Sequence, residues 1–484
     1  MIQKINKRNV GRVLGYFKRN GARETYYKIA ERLKRDAEEK EYSNAFLNSR
    51  PSRDELVRQR KYEFKRPYKI SILVPAYESD PVFFKQMLCS VIRQTYQNWE
   101  LCIADGSKSD RVKEVVMNTI GEEYDPLVGS RVKYQKLSEN KGISGNSNAA
   151  LEMANGDYIA LLDHDDILEE DALFQVMMIL EDSAYKDGNL TLNRALMVYS
   201  DEDKVSSDSN RFFDYHSKPD FDIDLLRSNN YICHFLVVDS NIAKKTGGFR
   251  EKYDGAQDHD FIFRCVEQLS PENIRHIDKV LYHWRASEGS TADNPDSKLY
   301  AYMAARKAIE AHLRRVGVEA DVYETSHLGF FRVQYHNEGL KCIRMSRKKY
   351  EALSLEEIRA LDTDAIMVLG ENIMPLHRNY IEEFLGILSR KEVTAVGGKI
   401  LYKHNKVDNV GYSYDEEGKL RPEYRGVNMH FSGYMHRALI QHESAALSPD
   451  CFMVKKEALL KYGKDLKNEN CIFVSDPFIM FRRK

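Results

Sequence analysis

Proline is scarce in this chain, 12 in 484 residues, so no long stretch is composed like a disordered linker. The seven cysteines are odd in number and scattered, and no two form C-x-x-C. That argues against a zinc ribbon and a disulfide framework and fits free thiols in a reducing cytosol. Apolar runs are short. None approaches the roughly 20 residues that span a bilayer, and the opening MIQKINKRNVGRVLGYF lacks the apolar centre of a secretory leader. The expected location is cytoplasmic, with any membrane contact made at the inner face and from the surface. Net charge is also lacking: at −1 overall, bulk charge gives no reason to expect a nucleic-acid partner. The signatures of other enzyme classes are missing too, among them the G-x-S-x-G nucleophile elbow, the Walker A loop and G-x-G-x-x-G.

What is present is a globular composition, 42% hydrophobic and 30% charged, on a chain long enough for two or three domains. The near-zero net charge hides an asymmetry. Residues 1–35 carry eleven Lys or Arg against two acids, Glu24 and Glu31. Apolar residues at helical spacing (Val10, Val13, Leu14, Phe17, then Tyr26, Ile29, Leu33) predict a basic helical region over residues 1–66. Two readings stay open for it: a solvated helical hairpin packed on its own domain, or contact with an anionic partner such as a membrane leaflet.

From Lys69 the pattern becomes strand–helix–strand. Short apolar runs Ile70–Val74, Leu101–Ala104, Val132–Leu137 and Tyr158–Leu162 read as buried strands, with helices between them, the first announced by Asp80-Pro81. The alternation predicts an α/β fold with a doubly wound, mostly parallel sheet, whose ligands sit beyond the carboxyl ends of the strands. Three strand ends carry polar residues there: Pro75-Ala76-Tyr77-Glu78, Asp105-Gly106-Ser107, and Asp163-His164-Asp165-Asp166. The last is the strongest signal. Three carboxylates in four residues repel one another and need a countercharge, and their hard oxygens suit Mg²⁺ or Mn²⁺, ions that fill their sphere with substrate phosphates. The glycine-rich turn Asn140–Asn148, with Gly142 and Asn148 in it, opens a helix and can offer backbone amides to a phosphate. A further strand end, Asp201-Glu202-Asp203, is a candidate for the sugar or the acceptor, and Trp284 and Arg285 follow later at a similar position.

The order VPAYE, ADGS and NKGISGNSNAALEMANGDYIALLDHDD resembles family 2 glycosyltransferases of the GT-A fold, over about residues 69–310. The resemblance implies that Pro75, Ala76, Tyr77 and Glu78 line a nucleoside pocket, that Asp105 contacts the base, and that Asp163 and Asp165 form an Asp-x-Asp motif, with Asp165 the direct metal ligand and His164 beside the donor. Many relatives carry Asn where this chain has Glu78. It further implies a general base at Asp258 in Gln257-Asp258-His259-Asp260, with Asp260 left between an acceptor contact and a helix cap. His283 is implied as a group that completes the metal shell or touches the diphosphate. The chemistry requires such a base, because an acceptor hydroxyl is a poor nucleophile until a carboxylate takes its proton.

The C-terminal region, residues 326–484, reads as an imperfect repeat of the domain at 67–325. Tyr158–Asp166 parallels Ala365–Ile373, Cys233–Val238 parallels Asp450–Val454, and Asp258–Arg264 parallels Val474–Arg482 loosely. Gly370 and Asn372 stand where Asp163 and Asp165 would be, so the copy is expected to be a degenerate, catalytically dead module. It could pack on the first domain, dimerise or hold a glycan. The whole arrangement resembles, more loosely, two-domain bacterial polysaccharide transferases, including rhamnosyltransferase-like ones.

The leading expectation is thus an inverting, metal-dependent glycosyltransferase that moves a sugar from a UDP- or dTDP-sugar to a glycan or lipid-linked acceptor in surface polysaccharide synthesis. Two alternatives remain. A sugar nucleotidyltransferase would carry a glycine- and lysine-rich loop where this chain has PAYESDP. A non-catalytic glycan-binding scaffold would have no need of the carboxylates at 163–166 and 258.

Overall fold

The structure, a computed structural model, describes residues 7–122, 127–186, 189–191, 194–286, 299–468 and 470–484. By its internal contacts the chain divides into two compact units, neither continuous in sequence. One comprises Asp36–Phe221 and Asn230–His312; the other comprises Met1–Arg35, Asp222–Asn229 and Leu313–Lys484.

The first unit is the expected α/β sheet. Its strands are β1 (Ile70–Ala76), β2 (Trp99–Asp105), β3 (Val132–Lys136), β4 (Tyr158–Leu161), β5 (Ile167–Leu168), β8 (Met197–Ser206), β9 (Phe212–His216), β10 (Leu236–Asp239) and β11 (Ile274–Ala286), while β6 (Tyr185–Lys186) and β7 (Asn189–Leu190) form a separate hairpin. The order is β3-β2-β1-β4-β10-β8-β11-β5, with β9 beside β8. The block β3-β2-β1-β4 and the pair β8-β11 are parallel, and β10 lies antiparallel between β4 and β8.

Local chemistry explains the elements. Asp80 caps the helix Pro81–Ile92 by accepting from the Val82 and Phe83 amides. The apolar positions of that helix, Phe84, Met87, Leu88 and Val91, are fully buried, each worth roughly 1.5–3 kcal/mol of transfer free energy. The helix Gly142–Met153 begins at Gly142, where φ is +72° and a Cβ would lie 2.8 Å from an Asp254 carboxylate oxygen. Glycine is needed there on both counts.

The second unit holds a smaller sheet. Its strands, after the hairpin β12 (Ala320–Glu324) and β13 (Phe331–Tyr335), are β14 (Cys342–Met345), β15 (Ala365–Leu369), β16 (Ile373–Pro375), β17 (Val393–Tyr402), β18 (Lys406–Asn409), β21 (His442–Ser444), β22 (Cys451–Lys455) and β23 (Ile472–Arg483), with a small hairpin of β19 (Tyr412–Tyr414) and β20 (Leu420–Pro422). Along the order β14-β15-β22-β17-β23-β16 each pairing repeats one of the first sheet in the same sense. β14–β15 is parallel as β1–β4 is; β15–β22 and β22–β17 are antiparallel as β4–β10 and β10–β8 are; β17–β23 is parallel as β8–β11 is; and β23–β16 is antiparallel as β11–β5 is. The strands of the first sheet without a counterpart are β2 and β3, the edge that carries Asp105, and β21, antiparallel to β23, has none in the first sheet.

One of the expected correspondences is corrected by this topology. Val474–Arg482 lies in strand β23, the counterpart of β11, whereas Asp258–Arg264 lies in the helix Gln257–Val266. The similar apolar spacing of the two segments arises on different elements.

Candidate active site

The carboxyl ends of β1, β2 and β4 share one edge of the first sheet. β10 runs the other way, so the residues before it, Asn230–His234, reach the same edge.

The Asp163–Asp166 loop leaves β4 at this edge and is clamped by β11. The Asp163 amide donates to the Tyr282 hydroxyl oxygen (3.3 Å), and that hydroxyl donates to Asp166. The Arg285 amide donates to the other Asp166 oxygen (2.7 Å), and Arg285 Nε donates to the Asp165 carbonyl (2.6 Å). The guanidinium also donates to Ser209 Oγ at 2.9 Å and lies over the Phe83 ring. Arg285 is fully buried. It is the countercharge that lets several carboxylates share one loop, and because the side chain is fully enclosed its expected contact with acceptor is corrected.

Asp163, Asp166 and His234 each bring a ligand atom within 4.8 Å of the others. His234 Nδ1 is buried without a hydrogen-bond partner, and its ring stacks on Tyr282 at 4.5 Å. Burial, reinforced by the charges of Asp165 and Asp258, pushes the Asp163 carboxyl up, against the pull of His234 and His164. A divalent cation fits this donor set: hard oxygens crowded together, beside an imidazole nitrogen that is otherwise unsatisfied. Both Asp166 oxygens already accept protein hydrogen bonds, while Asp165 stays half-buried one position away, 4.0 Å from His164 Nδ1, itself a buried nitrogen without a hydrogen bond.

His283 is corrected as a metal ligand. It is fully buried on β11, with Nε2 2.7 Å from Glu169 and Nδ1 against Asp203. Burial opposes its charge, yet these two carboxylates raise the imidazole to about 9. A charged ring with both nitrogens occupied has no lone pair for a metal. Its partners respond differently. Burial opposes the charge of Glu169, but His283 and then Arg50 hold it down, whereas burial of Asp203 outweighs the imidazolium and leaves that carboxyl raised.

Asp258 sits in the first turn of the helix Gln257–Val266. Its Oδ2 accepts from Asn230 Nδ2 at 2.7 Å and from the Cys233 thiol at 3.4 Å. Its charge is felt at Asp163, so the two belong to one electrostatic neighbourhood. Glu202 is beside them. Burial would raise it, but Lys218, His216 and His234 together pull it down to about 2. Trp284 is half-buried with its ring 6.2 Å from that of His234.

Three other acceptor candidates are occupied by the interior. Asp201 accepts from the Lys218 amide and Tyr215 (each 2.8 Å) and pairs with His276 (2.8 Å). Asp203 is held by Tyr42 and His283. Asp260 is buried in a pair with Arg264 four residues on. None has a free face for a ligand, so all three are corrected to structural carboxylates.

On the nucleoside side, Tyr77 is exposed after Pro75 and Ala76 at the end of β1. Asp105 is buried, and although burial opposes it, Ser107, Tyr134 and Lys136 hold its carboxyl low. Glu78 adopts φ +45° and braces the loop after β2, accepting from the Lys108 amide (2.7 Å) and Ser109 Oγ (2.9 Å). Asn148 is corrected: its amide exchanges two hydrogen bonds with the Phe249 backbone (2.7 and 2.8 Å), so both ends are used in holding Gly248-Phe249. A cleft of about 920 Å³ lined by Arg50, Lys85, Glu122 and Asp171 contains neither Asp163 nor Asp258, and the chemistry is assigned to the carboxylate edge.

His234, Asn230 and Cys233 escape a search of strand ends, because that search assumes parallel strands. The signal was available: a histidine two residues before the apolar run Leu236–Asp239 occupies the same edge once that strand is antiparallel.

Residues 71–188 match the family model "Glycosyl transferase family 2". The chain is 29% identical to an uncharacterized protein, y4gI, of Sinorhizobium fredii over 84% of this chain and 50% of that one. It is 30% identical to the O-antigen biosynthesis protein RfbC of Myxococcus xanthus, over 57% of this chain and 20% of that one. The chain therefore spans half or less of the length of these relatives. Among solved structures, S. aureus TarS 1-349 in complex with UDP-GlcNAc aligns with a TM-score of 0.38 at 16% identity, covering 51% of this chain and 66% of that one. The carboxylate-bearing edge at Asp163–Asp166 lies inside the matched region, and the chain carries a glycosyl transferase family 2 domain.

Proposed function

We propose that this chain is an inverting glycosyltransferase of bacterial surface polysaccharide synthesis, moving a sugar from a nucleoside diphosphate, UDP or dTDP, to a hydroxyl of a glycan or lipid-linked acceptor. The observation that carries the reading is the pairing of a fixed carboxylate, Asp258, with the Asp163 loop in one electrostatic neighbourhood. Relatives named for O-antigen and chondroitin synthesis support the polysaccharide setting.

In this reading the acceptor hydroxyl approaches Asp258. Asn230 fixes one carboxylate oxygen and the carboxylate accepts the proton as the acceptor oxygen bonds to the anomeric carbon. The bond from that carbon to the diphosphate oxygen breaks on the opposite face, and configuration inverts. Asp163 and His234, with Asp165 on the same loop, would hold Mn²⁺ or Mg²⁺, which when bound offsets the charge gathering on the leaving diphosphate. Tyr77 and Asp105 receive the nucleoside, His164 flanks the donor, and Glu202 and Trp284 border the sugar, whereas the Gly142 amide already donates to Asn140 Oδ1 at 3.1 Å. The test is release of nucleoside diphosphate from a panel of nucleotide sugars with Mn²⁺ present. Wild type is expected to turn over at least one donor and Asp258→Asn is not. Equal turnover by both would refute the assignment.

A further inference from the structure

We infer that Lys218 is a positioning residue: from inside the fold it holds the segment that carries both the imidazole of His234 and the hydrogen-bond donors to Asp258. The inference rests on the transferase reading for what that segment does. Residues 230–235 belong to neither helix nor strand. They nevertheless bring three side chains to the edge. Asn230 and Cys233 donate to Asp258 Oδ2 at 2.7 and 3.4 Å, and His234 lies beside Asp163 and Asp166. Cys233 has φ +26°, a region that residues with a Cβ rarely occupy, so the surroundings must hold the turn in place.

An ammonium does so. Lys218 Nζ donates to the Ile232 carbonyl at 2.8 Å and to the His234 carbonyl. One cation thereby fixes the peptide group before Cys233 and the one after His234. The Lys218 side chain has no exposed surface, and Glu202 Oε2 balances its charge at 3.4 Å. A buried ammonium persists only with such partners, and its charged N–H groups bind carbonyls more strongly than neutral donors do. The lysine is anchored in turn on β8. Its amide donates to Asp201 Oδ1 at 2.8 Å, and Glu202 is the next residue of that strand. A regular strand is thus tied through Lys218 to an irregular segment whose side chains must keep fixed directions. Being enclosed, the ammonium acts through His234 and through the donors to Asp258, not on a substrate.

The experiment uses the full chain. Lys218→Met keeps the length of the side chain and removes its donors. Because it strands the Glu202 charge, a second pair is measured, Lys218→Met with Glu202→Gln against Glu202→Gln alone. In both pairs, hydrogen exchange of the metal-free protein is expected to quicken by about tenfold or more at the amides of residues 230–235 and to stay unchanged in β1, β2 and β4. Unchanged exchange at 230–235 would overturn the inference, whether or not any sugar is transferred. Titration with Mn²⁺ alone separates positioning from general stability. Lys218→Met should bind the ion about tenfold more weakly, and Lys218→Met with His234→Ala no more weakly than His234→Ala by itself, because the loss runs through the imidazole. Additive losses, or wild-type affinity in Lys218→Met, would overturn the inference. A wild type that binds no Mn²⁺ would sink the metal reading instead, and the exchange result would still decide the role of Lys218.

Discussion

Asn230 holds Asp258: its side-chain amide donates to Oδ2 at 2.7 Å, leaving Oδ1 as the oxygen without a bond to that amide. If Asp258 is the base, Asn230 sets the direction in which the proton is taken. Asn230→Leu, which removes the donor at similar volume, should lower kcat by about ten- to a hundredfold with little change in donor KM, whereas Asp258→Asn should cost about a thousandfold, the scale of general base catalysis. Steady-state kinetics on a turned-over nucleotide sugar separates the two. A rise in donor KM without a fall in kcat for Asn230→Leu would place that residue in donor binding instead.

A second expectation concerns the cation. His234 Nδ1 is buried with no hydrogen bond, and Asp163 is the crowded carboxylate beside it. His234→Ala should therefore weaken Mn²⁺ binding by about ten- to a hundredfold, and Asp163→Asn by at least as much, read by calorimetric titration of the metal alone. His283→Asn should leave Mn²⁺ affinity near wild type, since its nitrogens serve Asp203 and Glu169.

That contrast between two histidines shows how far residue patterns reach. The parallel strands, the capped helix at Pro81 and the acidic loop at Asp163–Asp166 are legible because each is a local pattern of apolar period, cap or strand end. His283 and His234 have the same chemistry and both flank apolar runs. Which one faces the ligand edge depends on strand direction and on the partners Asp203 and Glu169, 80 and 114 residues away. The same holds for Asp201, Asp203 and Asp260, whose countercharges come from elsewhere in the fold or from the next helical turn.

His283 also makes a pH prediction. Its folded value of about 9 lies above the ordinary imidazole value of 6.5. A raised histidine contributes stability that is fully present below pH 6.5 and is lost as pH rises through about 9. Up to about 3 kcal/mol is at stake. Urea unfolding at pH 6, 8 and 10 should show wild type losing more stability with rising pH than His283→Asn. The variant should be less stable at pH 6 and 8, because it leaves Asp203 and Glu169 buried without the cation, and the gap should narrow at pH 10, where the wild-type imidazole is itself neutral. Parallel pH curves for the two proteins would mean that the imidazole is neutral in the fold.

In the second unit, Arg390 and Asp224 form a buried pair at 2.9 Å, both nearly inaccessible, with the Arg390 guanidinium also over the Tyr335 ring. Removing only the cation, as in Arg390→Leu, should destabilise by about 3–5 kcal/mol, because Asp224 is left uncompensated near Asp222 and Glu443. Burial and the charges of Asp222 and Asp224 already push Glu443 up to about 9. The double variant Arg390→Leu, Asp224→Leu should recover much of the loss. Additive losses in the cycle would show that the pair is not coupled.

The second sheet offers the sharpest control on the metal assignment. Its strand order repeats the first, and Gly370–Asn372 takes the place of the acidic loop. Restoring carboxylates there with Gly370→Asp and Asn372→Asp should still not create a cation site. By register Asp450 stands where His234 does, and it is already paired with Arg347 and Arg483, each at 2.9 Å. Arg483, at the register of Trp284, also reaches Asp408 at 2.8 Å. A fixed guanidinium thus supplies the positive charge that, in the proposed reading, a bound ion would supply in the first sheet, and new carboxylates beside it would form ion pairs before they bound a dication. Titration with Mn²⁺ should give one site per chain in both wild type and the restored variant. Two sites in the variant would show that the missing carboxylates alone account for the loss of the metal.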